Sequence, residues 1–339
     1  MERKLYPLKF KPVLKQRLWG GTKLKSELGK PIGDASDIGE SWELSGVPGD
    51  VSVVSNGFLA GNTLNELLEV YMSELVGDKV FEKFGDEFPL LIKFIDANDV
   101  LSIQVHPDDE LARKRHNSFG KTEMWYVMQA DPGARLISGF KRDTSQQEYL
   151  KSLEAGELEN LLASHEVVPG DVFFIPAGRV HAIGKGILLA EIQQTSDVTY
   201  RIYDFDRRDA DGNTRELHTA EALDAIDFSG GKDYKTHYEP KPNDVTPVVE
   251  CPYFETSLID LRGHELQKDF YNLDSFMVLM CVEGTAEIIF HENQSELITT
   301  GETVLVPADL RTIKIRTSAT CKLLEVHIPD GADKKTGGS

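Results

Sequence analysis

The sequence predicts a mainly β protein that contains two copies of one β-unit. Three observations carry this expectation. Short β-branched or aromatic runs bounded by Gly, Pro and Asp recur along the chain, among them Val51 to Val54, Val172 to Ile175, Met277 to Val282 and Thr303 to Val306. Apolar spacing of three and four with helix-forming residues is confined to Thr63 to Phe84, Ser145 to Leu162 and Thr219 to Ile226. Such helices interrupt the strands and do not alternate with them, which argues against a doubly wound parallel sheet. Finally, Gly170-Asp-Val-Phe-Phe-Ile-Pro-Ala returns as Gly301-Glu-Thr-Val-Leu-Val-Pro-Ala, with an apolar strand upstream of each copy, opening at Glu123 in the first and at Phe276 in the second.

From the N-terminus onward, Thr63 with Glu66 three residues later forms a capping-box pattern that starts a helix. Leu101-Ser-Ile-Gln-Val-His is a strand stopped by Pro107, and the stretch from Ser145 to Leu162 is a helical insertion within the first β-unit. Gly184-Lys-Gly186 reads as a hairpin turn, because a phosphate cradle needs a helix to follow and none does. Pro240 to Pro252, with four prolines and an Asn-Asp pair, is the linker candidate. The expected organisation is a first region over 1–239 with helical insertions over 63–85 and 145–162, a second β-unit over 240–330, and a polar, flexible tail over 331–339. With the Gly-Pro-Ala blocks superposed, Thr312 falls on His181, and with the upstream strands aligned, Phe276 falls on Glu123, so the second copy keeps the scaffold and lacks the chemistry.

The 339 residues are 40% hydrophobic and carry 37 Lys and Arg against 56 Asp and Glu, a formal charge of −19. This surface repels a phosphate backbone, so nucleic acid is not an expected partner. The three cysteines, Cys251, Cys281 and Cys321, are too few and too dispersed for a disulfide framework. The chain shows neither a membrane-length apolar run nor a signal-peptide pattern, which leads us to expect a soluble cytoplasmic protein without a membrane partner. The oligomeric state is not legible.

Strand alternation places Gln104 and His106 on one face. Glu123 begins another strand, and His181 follows the Pro-Ala-Gly turn of a third. Two imidazoles, a carboxylate and an amide oxygen can surround one divalent ion; without thiolate, zinc leads, although Mn²⁺, Fe²⁺, Co²⁺ and Ni²⁺ suit similar donors. Other histidines have no partner at ligand spacing.

The blocks Pro89-Leu-Leu-Ile-Lys-Phe-Ile-Asp-Ala, Leu101-Ser-Ile-Gln-Val-His-Pro, Lys121-Thr-Glu-Met-Trp-Tyr, Pro176-Ala-Gly-Arg-Val-His-Ala and Glu191-Ile-Gln-Gln-Thr-Ser-Asp-Val-Thr-Tyr-Arg resemble type I mannose-6-phosphate isomerases in order and spacing. Trp19-Gly-Gly and Gly39-Glu-Ser-Trp-Glu-Leu-Ser resemble that family's opening strands. The resemblance is close over residues 7 to 210 and looser beyond, in the manner of the short bacterial form. It implies two cupin-type (jelly-roll) β-barrels with a helical insertion, a sugar phosphate substrate, and one Zn²⁺ per chain on Gln104, His106, Glu123 and His181. It further implies a catalytic role for Arg201 and a pocket lined by Lys93 and Ser102.

Moving a proton between C2 and C1 of a hexose phosphate passes through an enediol whose oxygen becomes negative. Arg201, always protonated and planar, suits either that charge or the phosphate. Glu191, a carboxylate on an apolar strand, is one candidate proton carrier; Lys121, a metal-bound water and His106 are others. Glu191 equally suits an acceptor that holds a ligand imidazole. Lys93, Ser102 and Lys121 are better candidates for substrate contact than the run Arg113, Lys114, Arg115, which reads as a solvated face. A cupin-type oxygenase would carry two histidines two apart where this chain has Gln104 and His106. A non-catalytic sugar sensor would lack the charged pocket that Lys121 and Arg201 supply.

Overall fold

The computed structural model describes residues 4–330 other than 210 and 293. The expected pair of β-barrels is present. In the first, a seven-stranded sheet runs in the order Lys235–Thr236, Val172–Ile175, Glu123–Ala130, Ile187–Gln194, Leu90–Ala97, Ile38–Leu44, Val13–Gly21, with antiparallel neighbours. A five-stranded sheet, Tyr200–Tyr203, Ile103–Val105, His181–Ala182, Arg135–Phe140 and Leu162–Glu166, forms its other layer.

The central strands Leu90–Ala97 and Ile187–Gln194 are buried along their whole length, and side-chain alternation divides them between two cores. Ile95, Trp125, Val127, Ile187 and Leu189 fill the first barrel. Their neighbours Phe94, Met124, Tyr126, Leu188 and Ala190 point the other way, into a cluster shared with Leu258, Val278 and Leu279 of the second. Lys93, Glu123 and Glu191 have the parity of the first set, so three ionisable groups face the barrel interior.

In the second barrel the strand Met277–Phe290 serves both layers. A register shift between Cys281 and Glu283, next to Gly284 at φ +77°, bends it from one layer into the other. The N-terminal strand Leu8–Lys11 also belongs to this sheet, pairing Leu8 with Leu305 and Lys9 with Val304. The hydrogen bonding therefore crosses the expected division at 239/240.

Several sequence expectations are adjusted. Thr63 and Glu66 make the full capping box, but the helical stretch after it is broken twice: Leu64–Val76 is interrupted by a kink at Met72, φ +45°, and Gly77, at φ +97°, separates it from Asp78–Phe84. The insertion at 145–162 holds one helix, Gln146–Glu154, and a 3₁₀ turn, Leu158–Asn160; Gly156 at φ +70° stops the helix and Leu162 already belongs to a strand. Thr219–Ala225 is helical. Within the linker candidate, Asp244–Glu250 is an edge strand, with Pro247 at a register shift where its missing N–H is tolerated. The turn at Gly184 to Gly186, with Gly186 at φ +86°, is not the expected hairpin: the flanking strands His181–Ala182 and Ile187–Gln194 belong to different sheets and do not pair, so it carries the chain from one layer to the other. The tail 331–339 lies outside the described residues.

The repeat is real, but its register corrects one correspondence. Glu123 pairs with Ile175, just before Pro176, whereas the residue opposite Val306, just before Pro307, is Met277. Met277, not Phe276, thus occupies the place of Glu123. Phe276 is fully buried and packs its ring against that of Phe88, centroids 4.7 Å apart and planes tilted by 40°, between the barrels.

Candidate active site

Glu123 comes from the seven-stranded layer; Gln104 and His181 face each other across the five-stranded one, and His106 follows directly after its strand. His106 Nε2 is 3.5 Å from Glu123 Oε2, and His181 Nε2 is 3.4 Å from Glu123 Oε1. All three residues are at most 1% exposed. The other ring nitrogens are committed: His106 Nδ1 donates to the Val198 carbonyl at 3.0 Å and His181 Nδ1 to that of Arg179 at 2.8 Å. Both tautomers are thereby set with the Nε2 lone pair aimed inward. Gln104 Nε2 lies 3.3 Å from His181 Nε2, and turning the amide over puts Oε1 in that place.

His106 Nε2 and both Glu123 oxygens are buried without a hydrogen-bond partner among the described residues. Burial pushes both imidazole pKa values down, His181 to about 4, so the rings are neutral at pH 7. Burial, reinforced by Glu191, pushes the Glu123 carboxyl up. His106, Glu123 and His181 each offer one ligand atom, all within 4.8 Å of one another, a group that suits a metal ion. The donor set of neutral imidazole and carboxylate therefore fits the metal that the resemblance implies.

A cavity of about 500 Å³ opens beside this group. Lys93, Ser102, Gln104, Lys121, Glu191 and Arg201 all line it, so the structure brings these sequence-picked residues together. Lys121 Nζ lies 3.8 Å from Glu123 Oε2. Lys93 is buried with its Nζ 3.0 Å from Glu191 Oε1, and Trp125 Nε1 donates to Glu191 Oε2 at 2.9 Å. Burial alone would raise the Glu191 carboxyl, but Lys93 and Lys121 outweigh it and hold it below the usual carboxylate range. Arg201 donates from Nη1 to the Glu216 carbonyl at 2.8 Å, while its buried Nε has no hydrogen-bond partner among the described residues. Arg113 and Arg115 lie elsewhere: Arg113 lines a separate cavity, and Arg115 pairs with Asp224.

Sequence reasoning missed Arg17, Glu40, Asp197 and Arg215, which also line the cavity. Arg17 grips Glu40 through Nε at 3.0 Å, and Trp42 Nε1 donates to the same carboxylate at 2.6 Å. Burial opposes ionisation of Glu40, yet Lys93 and Arg17 draw its pKa down to about 2. Arg17 stands two residues before the Trp19-Gly-Gly pattern that sequence reading did register. Gly20 there has no room for a side chain: a Cβ would come within 2.4 Å of the Asp37 carbonyl. Five cationic side chains, Arg17, Lys93, Lys121, Arg201 and Arg215, meet three acidic ones, Glu40, Glu191 and Asp197, around the cavity. A chain of net charge −19 thus keeps a locally positive pocket.

Residues 7–133 match the phosphomannose isomerase type I catalytic domain, and residues 244–328 the mannose-6-phosphate isomerase cupin domain. The chain is 39% identical over 318 residues to mannose-6-phosphate isomerase ManA of Bacillus subtilis (strain 168), covering 93% of this chain and 97% of that protein. With mannose-6-phosphate isomerase of Streptococcus mutans it shares 43% identity over 220 residues, 65% of this chain and 67% of the relative. Among solved structures, the mannose 6-phosphate isomerase from Bacillus subtilis matches with a TM-score of 0.84 at 34% identity, over 96% of this chain and 100% of that one. Both barrels and nearly the full length enter these matches, and the chain belongs to the type I phosphomannose isomerase family of enzymes.

Proposed function

We propose that the protein interconverts mannose 6-phosphate and fructose 6-phosphate through an enediol, with one Zn²⁺ per chain held by Gln104, His106, Glu123 and His181. The observation that carries this reading is the set of unpartnered acceptors on His106 and Glu123, facing a positively lined cavity. When bound, the metal supplies Lewis-acid polarisation to the carbonyl and enediolate oxygens.

The chain's own groups supply the rest. The pro-reactive hydrogen leaves C2 of the aldose as a proton and is delivered to C1 of the ketose, so a group that alternately accepts and donates is required. Glu191 and Lys121 both line the cavity. Glu191, held ionised by Lys93 and Lys121, can accept the C2 proton and return it at C1, while Lys121, with Nζ beside Glu123, donates to the substrate oxygens. Arg201, at the cavity wall, offers its guanidinium to the charge that develops on the enediolate, and Ser102 orients the sugar hydroxyls.

No helix among the described residues is long and apolar enough to cross a membrane. The three cysteines are free, which suits a reducing compartment and supports a cytoplasmic location. A coupled assay of fructose 6-phosphate formation from mannose 6-phosphate, run on protein of measured zinc content, tests the reading. Folded, zinc-loaded protein that produces no fructose 6-phosphate would overturn it.

A further inference from the structure

The cavity's cations divide by depth. Lys93 and Lys121, with side chains 4% and 6% exposed, lie at the end near Glu123 and Glu191. Arg17 and Arg215 keep 32% and 25% of their side chains in solvent, at the mouth. A hexose 6-phosphate carries its reacting carbons at one end and its phosphate at the other. With C1 and C2 at the buried end, the phosphate falls at the mouth.

Of the two outer arginines, Arg215 is the one with capacity to spare. Its Nε donates to Asp204 Oδ2 at 2.7 Å and its Nη2 pairs with Asp204 Oδ1, which fixes the guanidinium by one edge. The opposite edge, carrying Nη1, has no hydrogen-bond partner among the described residues. Arg17, by contrast, uses Nε and Nη2 on Glu40 and Nη1 on the Gln16 carbonyl. The backbone beside Arg215 is strapped to Arg201: Arg201 Nη1 donates to the Glu216 carbonyl at 2.8 Å, and His218 N donates to the Arg201 carbonyl at 2.7 Å. Two guanidiniums thus stand close at one cavity wall, and Asp204, which also faces Arg207 at 3.9 Å, is the carboxylate paired with Arg215. A like-charged pair with free donors is an anion site awaiting its anion.

We propose that Arg215 anchors the phosphate of the substrate, with Asp204 as its positioning residue, which leaves Arg201 free to meet the charge at the reacting carbons. The proposal rests on the isomerase reading above and adds a division of labour between the two arginines.

Kinetics of R215A with mannose 6-phosphate and with unphosphorylated mannose, and inhibition by inorganic phosphate, test it. The KM for mannose 6-phosphate should rise about 10- to 100-fold with kcat changed far less, as expected for loss of a charge-assisted fork acting in ground and transition state alike. The inhibition constant of inorganic phosphate should rise by a similar factor, while kcat/KM for mannose falls much less. Equal losses on the two sugars, or unchanged phosphate inhibition, would overturn the assignment. Should R215A fail to fold, R215K keeps a cation against Asp204 and loses the fork; wild-type KM and phosphate inhibition in R215K would overturn it as well. Calorimetric binding of inorganic phosphate to wild type and variants separates the two levels. Protein that binds phosphate through Arg215 yet isomerises nothing would sink the isomerase reading and leave this inference standing.

Discussion

Glu123 and Glu191 are buried carboxylates facing the same barrel interior from adjacent strands, and their surroundings drive them in opposite directions. Glu123 has two unpartnered oxygens and a raised pKa; Glu191 has Lys93 at 3.0 Å, a Trp125 donor at 2.9 Å and a lowered one. The separation marks one as the group that needs a cation from outside and the other as already paired.

Metal binding at neutral pH should therefore release a proton from Glu123, because the imidazoles are already neutral. Titration of chelator-treated protein with Zn²⁺ in weak buffer at pH 7 should show one equivalent bound with proton release that fades as pH rises above the Glu123 pKa. Chelation should abolish activity and one equivalent of Zn²⁺ restore it. Full activity in metal-free protein would refute the ligand assignment.

Arg201→Ala should lower kcat and kcat/KM together by about 10² to 10³, by analogy with loss of an oxyanion donor, while KM and zinc content stay nearly constant. Arg201→Lys should recover only a small part, since it keeps the charge without the planar fork. A rise in KM alone would instead place Arg201 on the phosphate.

The second barrel should bind no metal. Met277 and Thr312 stand where the first barrel has Glu123 and His181, and two ligands are missing at once. Metal analysis after gel filtration should give one ion per chain, not two. Phe276→Ala removes a fully buried ring packed on Phe88 and should cost about 3 to 5 kcal/mol in urea unfolding, with activity lost only as the fold is lost.

Glu40 should make stability depend on acid. Its folded pKa of about 2 lies below the usual 4.5 of a glutamate carboxyl, so its contribution is complete above pH 4.5 and disappears as pH falls through the folded value. Glu40→Gln should cost on the order of 3 kcal/mol at pH 7, the equivalent of the shift, and the gap to wild type should close toward pH 2. A gap independent of pH would mean that Glu40 contributes shape and not charge.

Much of this was legible in the sequence. Strand runs bounded by Gly and Pro gave away a β protein because alternation is a local property, and Thr63 with Glu66 marked a helix start for the same reason. Helix ends were less legible: Gly77 and Gly156 punctuate stretches whose apolar spacing continues past them. Phe276 was matched to Glu123 because an eight-residue pattern aligns within about one position, whereas the true partner is fixed by hydrogen bonds to Val306. Among candidate site residues, Gln104, Glu123 and His181 could be found since each sits on a strand, and His106 since it directly follows one, with a recognisable turn nearby. Arg17, Glu40 and Arg215 could not, for their meaning comes from segments nearly two hundred residues apart in the chain meeting at one cavity.

The strand Leu8–Lys11 waits for Thr303–Val306, which is synthesised almost three hundred residues later. During translation its backbone donors and acceptors on that side face solvent until those residues have emerged. The first barrel can close earlier, but the sheet of the second is completed only by this late, long-range pairing, the kind that slows folding and exposes an unpaired edge. Nascent chains truncated before Thr303 should thus be the species most dependent on chaperones, and the full-length chain should gain protease resistance in one late step.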